Sequence, residues 1–260
     1  GGVRCRNCID GNYTACLNYG NLAKGHRANG FTTNGGFAEY AVNHVNTISK
    51  IPDNISFDEA TIITTAGTAL FGIEHTGGFV AGDSVAVVGP GAIGLMAVQC
   101  AKALGAGKVI LTGTRDERLN LGKKLGADVV INLNKEDPIA AVKRETGGYG
   151  ADLGLLTAGN SASLQQAIRV VRKGGDIVLV AHFEDTVSAD LGICVQNSNN
   201  LYTVRGEGKR CVHRALELMR MGKIQAKDLL THSYPLDQIQ EAFRVFMARE
   251  GGAIRIVLHP

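Results

Sequence analysis

The sequence predicts an α/β protein built on a doubly wound parallel sheet, and three observations predict it. From about residue 62 to 204, short apolar runs alternate with amphipathic segments, the pattern of consecutive strand–helix–strand units. One strand–helix join in that stretch carries a glycine pattern, G-x-G-x-x-G, at Gly89, Gly91 and Gly94. The composition, 45% apolar and 20% charged with 34 glycines, is that of a globular chain, neither disordered nor collagen-like. At 260 residues the chain can bury most of the surface its unfolded form exposes, so no disulfide framework is required.

The elements follow in order. Residues 1 to about 60 are rich in Gly, Asn, Thr and Cys and show no long helical period. Their β-type runs are Phe37 to Val42 and Thr47 to Ile51. Ser84 to Val88 reads as a buried strand and Gly91 to about Leu104 as the helix after it. Lys108 to Thr112 is the next strand and Glu117 to Leu125 the next helix. Asp128 to Ile131 (strand), Pro138 to Thr146 (helix) and Leu153 to Leu156 (strand) continue the alternation. A helix over Ser161 to Val171 and a strand over Asp176 to Val180 complete it, with further strands expected between Thr186 and Val204. The remainder predicts a helix at Cys211 to Met221, an extended segment at His232 to Leu236, a helix to Ala248 and a closing strand, Ala253 to Leu258.

Charge and hydropathy exclude several functions. With 27 Lys and Arg against 24 Asp and Glu, the net charge is +3, and the signs are mixed without a basic stripe, so nucleic acid is not an expected partner. The longest apolar run, Ala92 to Ala103, is broken by Gln99, Cys100 and Lys102, which argues against a membrane span. No secretory signal opens the chain, and the expected location is cytoplasmic. The first residues are Gly-Gly-Val-Arg-Cys, already inside a cysteine cluster and without Met, so the chain is expected to be a piece of a longer one.

The glycine pattern directly follows a predicted strand and opens a predicted helix, the context of a Rossmann dinucleotide site. The glycines serve a tight turn, close backbone approach to a pyrophosphate, and close helix–strand packing. Unpaired N–H groups and the positive dipole end of the helix face the phosphates, so Gly89, Gly91, Ala92, Ile93 and Gly94 are the expected contacts. Units that bind NAD place an acidic residue at the end of the second strand, on the ribose 2′-OH. That position is Gly113, followed by Thr114, Arg115 and Arg118. Gly113 leaves room for a 2′-phosphate and Arg115 supplies a charge-assisted donor, so NADP(H) is expected over NAD(H). The alternative gives the acidic role to Asp116 or Glu117, which otherwise serve as dipole partners in the first helical turn.

Cys5, Cys8 and Cys16 form C-x2-C-x7-C, a spacing that in an intracellular chain points to zinc, whereas Cys100, Cys194 and Cys211 read as small buried hydrophobes. Together with these motifs, Gly35–Tyr40 (GGFAEY), Lys50–Asp53 (KIPD), Phe57–Ala60 (FDEA), Thr157–Gly159 and Thr231–Leu236 occur in an order that resembles the zinc-containing medium-chain alcohol/polyol dehydrogenase family, sorbitol- and threonine-dehydrogenase-like. The resemblance covers essentially the whole chain. It implies a Rossmann cofactor domain over 62–204, inserted between two stretches, 1–61 and 205–260, of an incomplete GroES-like β-rich catalytic domain. It also implies that Thr157, Ala158 and Gly159, with Ala181, line the cofactor, and that Glu39 and Tyr40 pack in the barrel. A homodimer or homotetramer is implied, through Thr186 to Val204.

The departures are specific. In the family's structural-zinc lobe, C-x2-C-x2-C-x7-C, the chain supplies the second to fourth ligands, and Gly2 stands at the first. The family's catalytic-zinc Cys and His-Glu pair precede that lobe and fall outside these 260 residues. A further ligand position aligns with Thr64 or Thr65, whose hydroxyls are poor zinc ligands. The expectation is a three-thiolate lobe that holds zinc weakly or stands empty, no assigned catalytic residue, and cofactor binding without appreciable alcohol oxidation. Of the histidines, His182 follows a strand end on the nicotinamide side, while His26, His44, His75, His213, His232 and His259 read as surface or core residues.

The expected function is hydride transfer between NADP(H) and a small secondary alcohol, polyol or ketone. The alternatives are a zinc-independent NADPH reductase of the quinone reductase type, against which the cysteine lobe speaks, and a non-catalytic NADP-binding fragment.

Overall fold

A computed structural model describes residues 5–24, 28–43, 45–208 and 210–260. Gly2, His26 and His44 lie outside the described residues. Two short helices, α1 (Arg6–Ile9) and α2 (Phe57–Ala60), precede the longer α3 (Ile63–His75). The alternation then runs β1 (Ser84–Val88), α4 (Ala92–Ala103), β2 (Lys108–Gly113), α5 (Asp116–Lys124), β3 (Val129–Asn132) and α6 (Pro138–Glu145). It continues with β4 (Ala151–Leu156), α7 (Ser161–Val170), β5 (Val171–Leu179), α8 (Gly192–Asn197) and β6 (Asn200–Thr203). The tail holds α9 (Cys211–Arg220), β7 (Leu230–Pro235), α10 (Ile239–Ala248) and β8 (Arg255–His259).

The six strands β1 to β6 form one sheet in the order β3-β2-β1-β4-β5-β6, and every pairing is parallel. The chain turns from one half of the sheet to the other between β1 and β4, which opens a crevice at their C-terminal ends. Both faces are covered. Val85, Val87, Val109, Leu111, Leu153 and Leu155 join a core with α3, α4 and α9, while Ala86, Val88, Ile110, Leu156 and Ile177 join a second core with α6 and α7. Because successive side chains enter opposite cores, the central strands are apolar at consecutive positions instead of alternating with polar ones.

Local signals set the helix ends. Ser56 and Glu59 make a capping box at α2. The Asp137 side chain accepts from the Ala140 N–H ahead of Pro138 in α6. Asn160 caps α7 through the Ser163 N–H at 2.9 Å. The C-terminal segment packs on the flank of the sheet: Ala215, Leu216 and Met219 of α9, with Ile224, Leu229 and Ile254, belong to the core of α3 and α4. Gln99 of α4, 4% exposed, locks that packing by accepting from the Gln225 N–H (2.8 Å) and donating to the Gln225 carbonyl (3.1 Å).

Several expectations need correction. Phe37 to Val42 and Thr47 to Ile51 form no strands, and Val45–Thr47 is a 3₁₀ turn. Phe37, Tyr40 and Val42 are exposed (64%, 90% and 78%), and Glu39 is exposed as well, so neither Glu39 nor Tyr40 packs in a barrel. A strand exists only when a neighbour takes its N–H and C=O groups, and among the described residues none pairs with these in a ladder. The stretch 186–204 holds a helix, α8, before its one strand, β6. β5 starts at Val171, five residues before Asp176, because Val171 pairs with Ala151 ahead of a register shift. Leu236–Gln238 is a 3₁₀ turn that precedes α10. No described helix is long and apolar enough to cross a membrane.

Gln99→Leu should leave both backbone groups of Gln225 unpaired at a half-buried contact. The expected loss is about 1–3 kcal/mol of unfolding free energy in urea denaturation, with the sheet's own circular-dichroism signature unchanged.

Candidate functional site

The crevice at the C-terminal ends of β1, β2, β4 and β5 is built from backbone pressed against backbone. Gly89 leaves β1 with φ +111°, a left-handed conformation in which a Cβ would sit 2.9 Å from the Cβ of Ala158. Gly94, one turn into α4, has less room: a Cβ there would lie 1.9 Å from the Gly89 carbonyl oxygen. Gly91 is the extended N-cap residue of α4 and meets nothing within 4 Å on its Cβ side. The first turn of α4 has no side-chain cap and no acidic residue, so its N–H groups are open to an anion. Ala92 and Ile93 stand half-buried in that turn. Gly89 thus makes the tight turn and Gly94 the close helix–strand packing, while Gly91 leaves open space before the helix.

Thr157 has a role that the sequence does not reveal. Its N–H donates to the Val88 carbonyl at 2.9 Å, and its hydroxyl has the carbonyl oxygens of Val88 (2.9 Å) and Gly89 (2.8 Å) as acceptors. The hydroxyl therefore clamps the glycine turn. Gly159 passes the chain beneath β5, since a Cβ there would lie 2.2 Å from the His182 carbonyl oxygen. Ala181, whose N–H bonds the Leu156 carbonyl at 3.0 Å, brings the end of β5 alongside. The imidazole of His182 itself is exposed.

At the end of β2 the structure adds a reason for Gly113. A Cβ there would lie 2.5 Å from Cγ of Pro90, so the middle residue of the glycine loop occupies the space a carboxylate stem would need. Asp116 is already engaged: Lys135 Nζ stands 2.7 Å from its carboxylate and Asn132 donates at 2.6 Å, and Lys135 followed by Asn132 holds its carboxyl below the usual range. Arg115 is the N-cap residue of α5 and shares an ion pair with no described carboxylate. Thr114 is exposed, and Arg118 is half-buried with Nη2 donating to the Ala253 carbonyl at 2.6 Å.

The cysteine cluster lies apart from this crevice. Cys5 and Cys8 flank the start of α1 with their sulfurs 3.6 Å apart, and the sulfurs of Cys5, Cys8 and Cys16 all lie within 4.8 Å of one another. Tetrahedral zinc with ~2.3 Å bonds needs sulfurs roughly 3.8 Å apart, so the trio fits three of its four positions. The Asn18 N–H donates to Cys16 Sγ at 3.3 Å. Backbone hydrogen bonds at Leu17 and then Cys8 lower the Cys5 thiol to about 7, while the Cys16 side chain and burial push Cys8 up to about 11. Among the described residues this is the one group of three or more His, Cys, Asp or Glu placed to share a metal ion. Thr64 is exposed on the first turn of α3 and Thr65 half-buried, and neither belongs to a described set of ligands.

The other cysteines and histidines behave as packing or surface groups. Cys100, Cys194 and Cys211 are buried, and burial pushes the Cys100 thiol up to about 12. His75 lies against Phe71 and Tyr202, His213 is exposed, and His259 stands 3.7 Å from Asp58. His232 is half-buried with Nδ1 unpartnered.

Comparison with known proteins places this arrangement. A family model described as zinc-binding dehydrogenase matches residues 92–220. The chain is 29% identical over 258 residues to sorbitol dehydrogenase of Bacillus subtilis, covering 99% of this chain and 71% of that protein. It is 32% identical over 258 residues to L-threonine 3-dehydrogenase of Pyrococcus furiosus, covering 98% and 72%. Among solved structures, alcohol dehydrogenase TADH from Thermus sp. ATN1 superposes with a TM-score of 0.83 at 27% identity, over 98% of this chain and 74% of that one.

If the cysteine cluster holds zinc, the purified chain should take up about one equivalent, measured by a chromogenic chelator. Cys16→Ser should abolish uptake, because two thiolates cannot hold the ion against water and chelator.

Proposed function

The chain belongs to the zinc-binding dehydrogenase family, and from that premise we propose that it is an NADP(H)-dependent dehydrogenase of a secondary alcohol or polyol. An alcohol or polyol oxidoreductase is what the family and its relatives establish; the cofactor preference, the substrate's secondary carbinol and the residue roles are our reading. A bound nicotinamide supplies the hydride acceptor for alcohol oxidation and the donor for the reverse reaction. The chain's own residues bind and orient it. Gly89, Gly91, Ala92, Ile93 and Gly94 take the pyrophosphate on open N–H groups, and Thr157 holds that turn in shape from the far side. Gly113, Thr114, Arg115 and Arg118 surround the adenosine ribose, and Ala158, Gly159 and Ala181 stand toward the nicotinamide. Cys5, Cys8 and Cys16 offer three thiolates to a structural zinc, held weakly for want of a fourth protein ligand, a reading supported by sulfurs that all lie within 4.8 Å of one another.

The end of β2 carries the cofactor reading. Its ribose-reading position has no carboxylate and, against Pro90, no room for one; the nearby Asp116 is tied to Lys135, while Arg115 remains available. The same reading divides the chain into 1–61, 62–204 and 205–260, supported by the unbroken alternation from β1 to β6. It places the protein in the cytoplasm, where its six cysteines stay reduced. It makes the β6 edge the subunit contact of a homodimer or homotetramer, supported by β6 lying outermost in the sheet with Val195 and Leu201 exposed beside it.

Calorimetric titration with both reduced cofactors tests the preference. NADPH is expected to bind roughly ten- to a hundred-fold tighter than NADH, the contribution of one charge-assisted contact to a phosphate. Arg115→Ala should weaken NADPH by that factor and leave NADH nearly unchanged. Equal or inverted affinities in the unaltered chain would overturn the reading.

A further inference from the structure

Arg118 of α5 is bound to a segment 135 positions later in the chain. Its Nη2 donates to the Ala253 carbonyl at 2.6 Å, which docks the turn between α10 and β8 against the first turn of α5. That turn begins at Arg249, the C-cap residue of α10, and Arg249 has φ +56°. An arginine in this left-handed position is unusual, because glycine or asparagine normally closes a helix there. The charges of Arg115 and Arg249 both act on Arg118 and, after its partial burial, lower its affinity for a proton. The Arg118–Ala253 hydrogen bond therefore brings the turn that begins at Arg249 beside the first turn of α5, where Arg115 and Arg118 stand.

Two neighbouring carboxylates are engaged with other cations. Asp116 is turned to Lys135 at 2.7 Å. Glu250, next to Arg249, is held by Arg244 through two contacts of 2.5 and 2.9 Å. Glu117 is the one carboxylate that acts favourably on Arg118, and none of the three arginines shares an ion pair with a described acid. The Nε of Arg118 is moreover buried without a hydrogen-bond partner. Three positive charges against one negative leave an excess matched to a dianion, and a phosphate monoester near neutral pH carries close to two negative charges.

We propose that Arg249 is a specificity-determining residue for the cofactor, completing with Arg115 and Arg118 a pocket for the 2′-phosphate of NADP(H). The inference rests on the NADP(H) reading above and adds to it a residue from outside the nucleotide-binding sheet. The C-terminal segment then reads the cofactor directly, and the Arg118–Ala253 hydrogen bond positions it to do so. The left-handed turn at Arg249 is retained because the residue serves the phosphate and not only the helix end.

The test uses Arg249→Asn, which keeps a residue tolerant of the left-handed turn while removing the charge, and Arg249→Lys, which keeps the charge. Dissociation constants for NADPH and NADH are measured for both variants and for the unaltered chain. Arg249→Asn should weaken NADPH about tenfold and leave NADH within about twofold, and Arg249→Lys should recover most of the loss. If the unaltered chain prefers NADPH and Arg249→Asn does not change its affinity, the role of Arg249 is refuted while the cofactor reading stands. Equal weakening of both cofactors also refutes it, since that marks a general structural role. An unaltered chain without NADPH preference overturns the reading and this inference together.

Discussion

The helix that presents its N-terminus to the crevice can start where it does only because no side chain separates it from the loop ending β1. A Cβ on Gly94 would overlap the Gly89 carbonyl oxygen, and one on Gly89 would press on Ala158. Three backbones, those of the β1 turn, α4 and the segment after β4, therefore meet at van der Waals distance, and Thr157 fastens them with its hydroxyl. Close packing here aims the unpaired N–H groups of α4 outward past Gly91, the glycine with open space before it. The exposure of those N–H groups to the crevice follows from that contact.

The contact in turn rests on a sheet buried on both sides. Because β1, β2 and β4 send alternate side chains into two separate apolar cores, the strand ends are held rigidly and the loops they carry are positioned by the sheet. The C-terminal segment contributes to one of those cores through α9 and Ile254, and it touches the crevice rim through Ala253. Gln99 and Gln225 satisfy each other where that segment crosses α4, so the half-buried backbone there carries no unpaired group. Sheet and tail are in this sense one packed unit at the crevice.

The first sixty residues are held differently. The cysteine cluster is compact because three sulfurs and a single helical turn gather around a metal-sized space, with little apolar burial beyond Cys8. Beyond it, Phe31, Phe37, Tyr40, Val42 and Val45 all stand exposed, with Phe37 in edge-on contact with Phe243 of α10.

The amino-acid sequence by itself determined the order of strands and helices from β1 to β5, because buried parallel strands and helix caps are written in consecutive residues: Ser84–Val88, Asp137–Pro138, Asn160. It also determined the glycine turn and the cysteine trio, whose chemistry depends on short spacings. The tertiary structure alone decided matters of long range. The β-type runs at 37–51 carry strand-like residues but find no described neighbour to pair with, so their propensity is not realised. Thr157 became the clamp of a loop 68 positions earlier, and Gly113 proved to be demanded by the close approach of Pro90. Ala253 reached Arg118, in the first turn of α5, from the far end of the chain. Spacing along a chain encodes what neighbours do to one another, whereas a contact across a hundred residues exists only once burial has brought both partners to the same place.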